Sequence, residues 1–185
     1  NCNILDVPVH LHAFGDFQAM NALPCIYIAK ACHLKKESIL NGLAHLEMTK
    51  MRTQLIPVQN AYILDDTYKS NPESAKAAID TLMVLPARKH IAILSDMLDL
   101  GSEEKQLHYD VGEYAKEKGV DALYCTGPLS KETSDGFNGN WYETKDEIYE
   151  AVKPLLEEDC VILIKGSRAM KMDTLVDAFR GNDNE

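Results

Sequence analysis

Two runs of the chain are apolar at every position: Ile91-Ala92-Ile93-Leu94 and Val161-Ile162-Leu163-Ile164. A strand with one wet face alternates apolar and polar residues. A strand that is apolar throughout is covered on both faces, as in a parallel sheet flanked by helices. These runs lie in strand candidates at 90–94 and 160–164, and further candidates fall at 52–57, 61–64, 122–126 and 141–142. Amphipathic stretches separate them. Ala75, Ala78, Ile79, Leu82 and Met83 share one helical stripe, as do Leu107, Val111, Tyr114 and Ala115. Ile148, Ala151, Val152 and Leu155 form a third, and Met172, Leu175, Val176 and Phe179 a fourth. Thr144 and Glu147 have the spacing of a capping box, and Pro154 should kink or end the helix that follows. Strands and helices in this alternation predict an α/β fold, a doubly wound and mostly parallel sheet with right-handed crossovers.

The first 50 residues have a different pattern. A strand-like run at 7–14 leads into helical stretches at 17–33 and 36–47, and Pro24 predicts a kink or a fresh start inside the first. No complete α/β layer is visible there. The segment reads as the helical tail of a domain, followed at 51–185 by a whole one, and the chain opens with Asn1 instead of Met.

Composition narrows the function. A formal net charge of -10 over 185 residues argues against general nucleic-acid binding. No apolar run approaches the ~20 residues of a membrane span. The five cysteines are scattered and lack C-x-x-C spacing, which fits reduced thiols in a cytoplasm better than disulfides or zinc. His10 and His12 share one face of the first strand-like run, without neighbouring ligands, and read as an ordinary strand face. The phosphate loop G-x-x-x-x-G-K-[ST], the dinucleotide fingerprint G-x-G-x-x-G and the nucleophile elbow G-x-S-x-G are all absent.

What remains are polar loops at strand ends, where open α/β sheets bind ligands. Leu64-Asp65-Asp66-Thr67-Tyr68-Lys69-Ser70-Asn71-Pro72 places two carboxylates at such an end. Burying them requires a hydroxyl, a metal or a cation. Asn71 suits a helix cap and Pro72 the first helical position. Lys165-Gly166-Ser167-Arg168 follows the apolar run at 161–164, and with Lys171 it puts three cations where a helix is expected to start near Ala169. A helix dipole disfavours cations there by about 0.3–1 kcal/mol each. The cluster therefore calls for an anion: a phosphate, a carboxylate, or the Asp65/Asp66 pair. The third loop, Ser95-Asp96-Met97-Leu98-Asp99-Leu100-Gly101, is unusually apolar, so its side chains should pack under the sheet edge or against another domain. His108 beyond it should pack or bond to that loop.

In this order and spacing the three loops resemble the C-terminal part of the Mur ligase family. Residues 65–72 resemble D-D-S-Y-N-A-N-P, with Lys69 and Ser70 in place of Asn and Ala. Residues 95–101 resemble G-D-M-L-E-L-G, with Ser95 in place of Gly and His108 matching a later histidine. Lys165-Gly166-Ser167-Arg168 with Met172 resembles K-G-S-R…M. Residues 15–23 align with G-x-H-N-x-x-N-A, keeping Asn21 while Phe17 and Gln18 depart.

The resemblance implies a Rossmann-like C-terminal domain preceded by the end of a central ATPase domain. It implies an ATP- and Mg2+-dependent ligase that joins D-Ala-D-Ala to a UDP-muramoyl tripeptide through an acyl phosphate. It carries nucleotide contacts over to Asn21, Arg52 and Asp66, and substrate contacts to Tyr68, Asn71, Lys165, Ser167 and Arg168. The phosphate loop and metal ligands would lie in the central domain, almost all of it outside these residues, so no complete catalytic set is expected here; the N-terminal and central domains would be partners of this segment. Rival readings are a family member adding a single amino acid, and a non-catalytic α/β binding module.

Overall fold

The structure is a computed structural model that describes residues 9, 11, 16–45 and 50–181. The chain divides into two compact units, Asn1–Thr49 and Lys50–Glu185. His10, His12 and most of the strand-like run at 7–14 lie outside the described residues.

The first unit holds α1 (Asp16–Ala31) and α2 (Lys36–Ala44). Ala22 and Ile26 of α1 pack against Ile39 and Leu43 of α2, with Val9 and Leu11 beside them. Pro24 falls inside α1, which runs as one helix. Met20, Tyr27 and Ile28 of α1 remain largely exposed. Large exposed side chains on an apolar helix are the mark of a surface built to be covered.

The second unit is a six-stranded sheet. Its strands are β1 (Gln54–Val58), β2 (Ala61–Asp66), β3 (Lys89–Ser95), β4 (Ala122–Thr126), β5 (Asn140–Tyr142) and β6 (Cys160–Lys165). The spatial order is β1-β2-β6-β3-β4-β5. Only the β1–β2 hairpin is antiparallel; the other four pairings are parallel. Pro57 sits on β1, an edge strand, where its missing N–H is tolerated.

Between the strands run α3 (Pro72–Val84), α4 (Glu104–Glu117), α5 (Ser130–Phe137), α6 (Lys145–Val152) and α7 (Asp173–Phe179). The period of two along β6 divides the core. Val161 and Leu163 point to α3 and α4, joining Ile79, Leu82, Val111 and Ala115. Ile162 and Ile164 point to α6 and α7, joining Ile148, Val152, Leu175 and Phe179. The doubly apolar runs of β3 and β6 are thus covered on both faces, as their sequence requires. The Thr144–Glu147 capping box forms, and α6 gives way to a 3-10 turn at Lys153, next to Pro154.

Three elements depart from expectation. Helix α5, with the sequence SKETSDGF, has no apolar stripe to announce it. It rests on α4 through glycines: a Cβ on Gly112 would lie 2.1 Å from the Thr133 carbonyl, and one on Gly136 would lie 2.3 Å from that of Tyr109. On α4 the fully buried residue is His108 and not its neighbour Leu107. His108 Nε2 accepts from the Met97 amide at 2.9 Å, the bond to the preceding loop that its position suggested. The helix expected near Ala169 starts at Asp173. Arg168–Met170 form a single 3-10 turn, and Lys171 at φ +50° breaks the path.

The order of strands places the site. The chain leaves β2, skips one position to β3, moves outward to β5, and returns to lay β6 in the gap. Ligands in open α/β sheets bind outside the carboxyl ends of strands at such a switch point. Here those ends belong to β2, β6 and β3.

Candidate functional site

At the end of β2 the two carboxylates have separate fates. Asp65 is buried and accepts from the Thr67 amide at 3.1 Å and the Thr67 hydroxyl at 2.7 Å. Burial pushes its carboxyl above the ordinary range, the Thr67 bonds oppose this, and the charges of Asp66 and Asp173 add to it. Asp66 faces outward. Its Oδ1 accepts from the Thr53 amide at 3.1 Å and its Oδ2 from Lys165 Nζ at 2.6 Å. Of the basic loop, Lys165 thus finds its partner in the carboxylate of Asp66.

Lys165 ends β6 in register with Asp66 on β2. Its side chain is 1% exposed, against 15% for Asp66. The ammonium also donates to the Lys69 carbonyl at 2.7 Å. Burial lowers its pKa from the ordinary lysine value, Asp66 holds it up, and nearby Arg52 lowers it further.

Arg52 precedes β1 and is exposed, its guanidinium 4.4 Å from the centre of the Tyr68 ring. The residues on either side of it have left-handed backbone, Met51 at φ +65° and Thr53 at φ +51°. That conformation is strained for a non-glycine residue, most of all for β-branched threonine. Both are fastened to β2: Tyr68 N–H donates to the Met51 carbonyl at 3.1 Å, and Thr53 N–H to Asp66. Nothing in the composition of 51–53 signals this conformation.

Asn71 caps α3, its side chain accepting from the Ser74 amide at 2.8 Å, while the Ser74 hydroxyl accepts from the Asn71 amide at 3.0 Å. Pro72 takes the first helical position, as the sequence indicated. The Ser167 hydroxyl accepts from the Leu98 amide at 3.0 Å, and the Ser167 amide donates to the Asp96 carbonyl at 3.0 Å. Ser167 therefore laces the β6 loop to the β3 loop. Gly166 makes room for this approach: a Cβ there would meet Met172 at 2.9 Å and Ser95 at 3.0 Å.

Arg168 is exposed and donates to Asp173 Oδ2 at 2.7 Å, with Met51 Sδ at 3.6 Å from the same nitrogen. Asp173 Oδ1 is buried without a hydrogen-bond partner. The expectation of three cations at a helix start is corrected here: α7 begins with an acid, Asp173, and Arg168 lies in a separate 3-10 turn before it.

Arg52, Asp66, Tyr68, Lys165, Ser167 and Arg168 all sit on the loops at the ends of β2 and β6 or on the segment fastened to them. Asn21 is on α1 of the first unit, exposed, with Nδ2 3.4 Å from Gln18 Oε1. Chemically the cluster offers a carboxylate with open lone pairs, a planar cation on an aromatic ring, and a second outward arginine. Carboxylates accept from hydroxyls, and guanidinium forks match phosphate and carboxylate oxygens. Among the described residues, no three His, Cys, Asp or Glu side chains gather as a metal site.

Known proteins are similar to this chain in sequence and fold. Residues 51–168 match the model of the Mur ligase, glutamate ligase domain. The chain is 32% identical over 182 residues to the UDP-N-acetylmuramoyl-tripeptide–D-alanyl-D-alanine ligase of Escherichia coli, covering 95% of this chain and 40% of that one. It is 32% identical over 142 residues to the ligase of the same name from Rickettsia prowazekii, covering 75% of this chain and 32% of that one. The crystal structure of MurF from Acinetobacter baumannii superposes with a TM-score of 0.87 at 26% identity, over 94% of this chain and 40% of that chain. The chain thus spans less than half the length of these relatives. With the family model, the sequence relatives and the fold in agreement, the chain belongs to the Mur ligase family.

Proposed function

We propose that this chain is part of an ATP-dependent ligase that adds D-alanyl-D-alanine to a UDP-N-acetylmuramoyl tripeptide in the cytoplasm. The observation that carries this reading is the cluster of Arg52, Asp66, Tyr68 and Arg168 at the switch point of a Mur ligase fold. A carboxylate is a poor acyl donor because oxide would have to leave. ATP supplies the phosphoryl group that makes the tripeptide carboxylate an acyl phosphate, which the dipeptide amine then attacks.

The residues present fit the outer parts of that reaction. Asp66 accepts from the ribose hydroxyls of ATP through the lone pairs left free by Lys165 and Thr53. Arg52 swings from the Tyr68 ring onto phosphate oxygens, where a guanidinium forms two parallel bonds. Arg168, steadied by Asp173, meets the terminal carboxylate of D-Ala-D-Ala. Tyr68, Asn71 and Ser167 shape that side of the crevice, and Lys165 supports it from behind. Asn21 belongs to the adenine side. Mg2+ and the phosphate loop would be held mainly by the central domain of the whole ligase. The exposed face of α1 is the surface such a neighbour would cover.

The test is ligase turnover by the protein that carries this segment, with UDP-muramoyl tripeptide, ATP, Mg2+ and D-Ala-D-Ala. Turnover is expected with the dipeptide and not with single amino acids. Replacement of Arg168 by alanine should raise the KM for the dipeptide by about tenfold, the loss of one charge-assisted contact. The isolated 185-residue chain should show none. Activity of the isolated chain, or preference for a single amino acid, would refute the reading.

A further inference from the structure

Among the described residues Lys165 has the largest fully buried side chain, and it is a charged one. It lies one residue beyond Ile164 in a strand that is otherwise apolar. An internal ion pair of this kind is seldom more stabilising than two apolar side chains of the same volume. Its presence at the strand end therefore points to a requirement on what it touches.

It touches two things. Oδ2 of Asp66 is 2.6 Å from Nζ, and the Lys69 carbonyl is 2.7 Å away. The first contact fixes the rotation of the carboxylate at Oδ2, while Oδ1 takes the Thr53 amide and hydroxyl and the side chain keeps 15% of its surface exposed. The second fastens the loop that carries Tyr68 to the same ammonium. Two of the three ammonium protons are directed into the protein, and at 1% exposure no ligand reaches the nitrogen.

Resting on the function proposed above, we infer that Lys165 is a positioning residue for the nucleotide: it acts through Asp66, orienting the carboxylate that accepts the ribose hydroxyls, and touches no substrate. A lysine in direct contact with the dipeptide would govern the KM for the dipeptide. A lysine that orients Asp66 governs the KM for ATP, and only while Asp66 is there.

The experiment is a double-mutant cycle in the intact ligase, with Lys165→Met, Asp66→Asn and both together, measuring kcat and the KM for each substrate. Each single change should raise the KM for ATP by about tenfold, the loss of one charge-assisted hydrogen bond. The KM for D-Ala-D-Ala should stay within about twofold. The double variant should be no worse than Asp66→Asn alone. Multiplying effects, or a rise in the dipeptide KM for Lys165→Met, would overturn the inference.

A nitrogen-15 NMR spectrum of the Lys165 ammonium in the unmodified chain covers the case in which Lys165→Met does not fold. A slowly exchanging signal that moves in Asp66→Asn is expected, and a freely exchanging one would overturn the inference. If the unmodified ligase shows no ATP-dependent turnover, the proposed function fails. The NMR result would then still decide whether Lys165 holds Asp66.

Discussion

Two carboxylates stand at the ends of the two strands that flank β6 in this sheet, and they are used in opposite ways. Asp96 follows β3, is 2% exposed, and accepts from the Leu129 and Ser130 amides at 3.1 and 2.8 Å. Those amides open α5, so Asp96 caps a helix that has no side-chain cap of its own. Gly127 at φ +112° lets the β4 loop close over it, and a Cβ there would lie 2.4 Å from Asp96 Oδ1. Asp66 follows β2, accepts from the Thr53 amide and hydroxyl on Oδ1 and from Lys165 on Oδ2, and its side chain stays 15% exposed. In the first loop the protein's own helix takes the place that a ligand would occupy. In the second the carboxylate stays within reach of solvent. A strand-end aspartate marks a site only when the chain around it leaves it accessible.

The comparison can be broken most severely on the Asp96 side. Replacing Gly112 by alanine would drive a methyl into the Thr133 carbonyl and push α5 off α4. The expected loss is about 3 kcal/mol in urea unfolding. Asp96→Ala comes next, because it strands two amides at the α5 terminus; the loss should be about 2 kcal/mol. Hydrogen exchange at Leu129 and Ser130 should rise with it. Unchanged stability would mean that α5 does not depend on this cap.

Asp66→Asn should cost somewhat less, about 1.5 kcal/mol: it takes the counter-charge from buried Lys165, whose pKa burial already lowers so that it can shed its proton, while the amide oxygen still accepts from Thr53. Its main effect belongs to ATP binding by the whole ligase. If it unfolds the chain as readily as Asp96→Ala, the contrast between the two loops disappears.

The smallest effect is expected at Asp65. Its folded pKa lies above the ordinary 3.8 because of burial, so the folded state holds its proton more tightly than the unfolded chain. Stability must then fall as pH rises from 3.8 through the folded pKa, and the cost of the buried charge persists to neutrality. Asp65→Asn should flatten that slope and leave stability near neutral pH equal or slightly higher. A steeper acid slope in the variant would contradict it.

The sheet was legible because its signals are local and redundant. All six strands fall within about two residues of their expected positions, and the Thr144 and Asn71 caps form as written. The stretches that escaped notice draw their structure from elsewhere in the chain. Helix α5 is polar and leans on Asp96 and on Gly112 of α4, which lie outside its own eight residues, as well as on its own Gly136. The start of α7 is displaced by a left-handed Lys171, a residue type with no preference for that conformation. At the site, the residues could be named from motifs, but not their exposure. Lys165 and Arg168 look alike in sequence, and only the register with β2 puts one inside and the other out.

Thr53 gives the linker a mechanical character. Its left-handed backbone represents strain on the order of 1–3 kcal/mol, held in place in part by the bond from its amide to Asp66. The segment is therefore a tensioned spring, and the carboxylate is its catch. Whatever draws Asp66 Oδ1 away slackens the hold on Arg52 and its neighbours at once. A glycine at position 53 would keep the same path with little tension. The chain would still run from one unit to the next, but the catch would have nothing left to restrain.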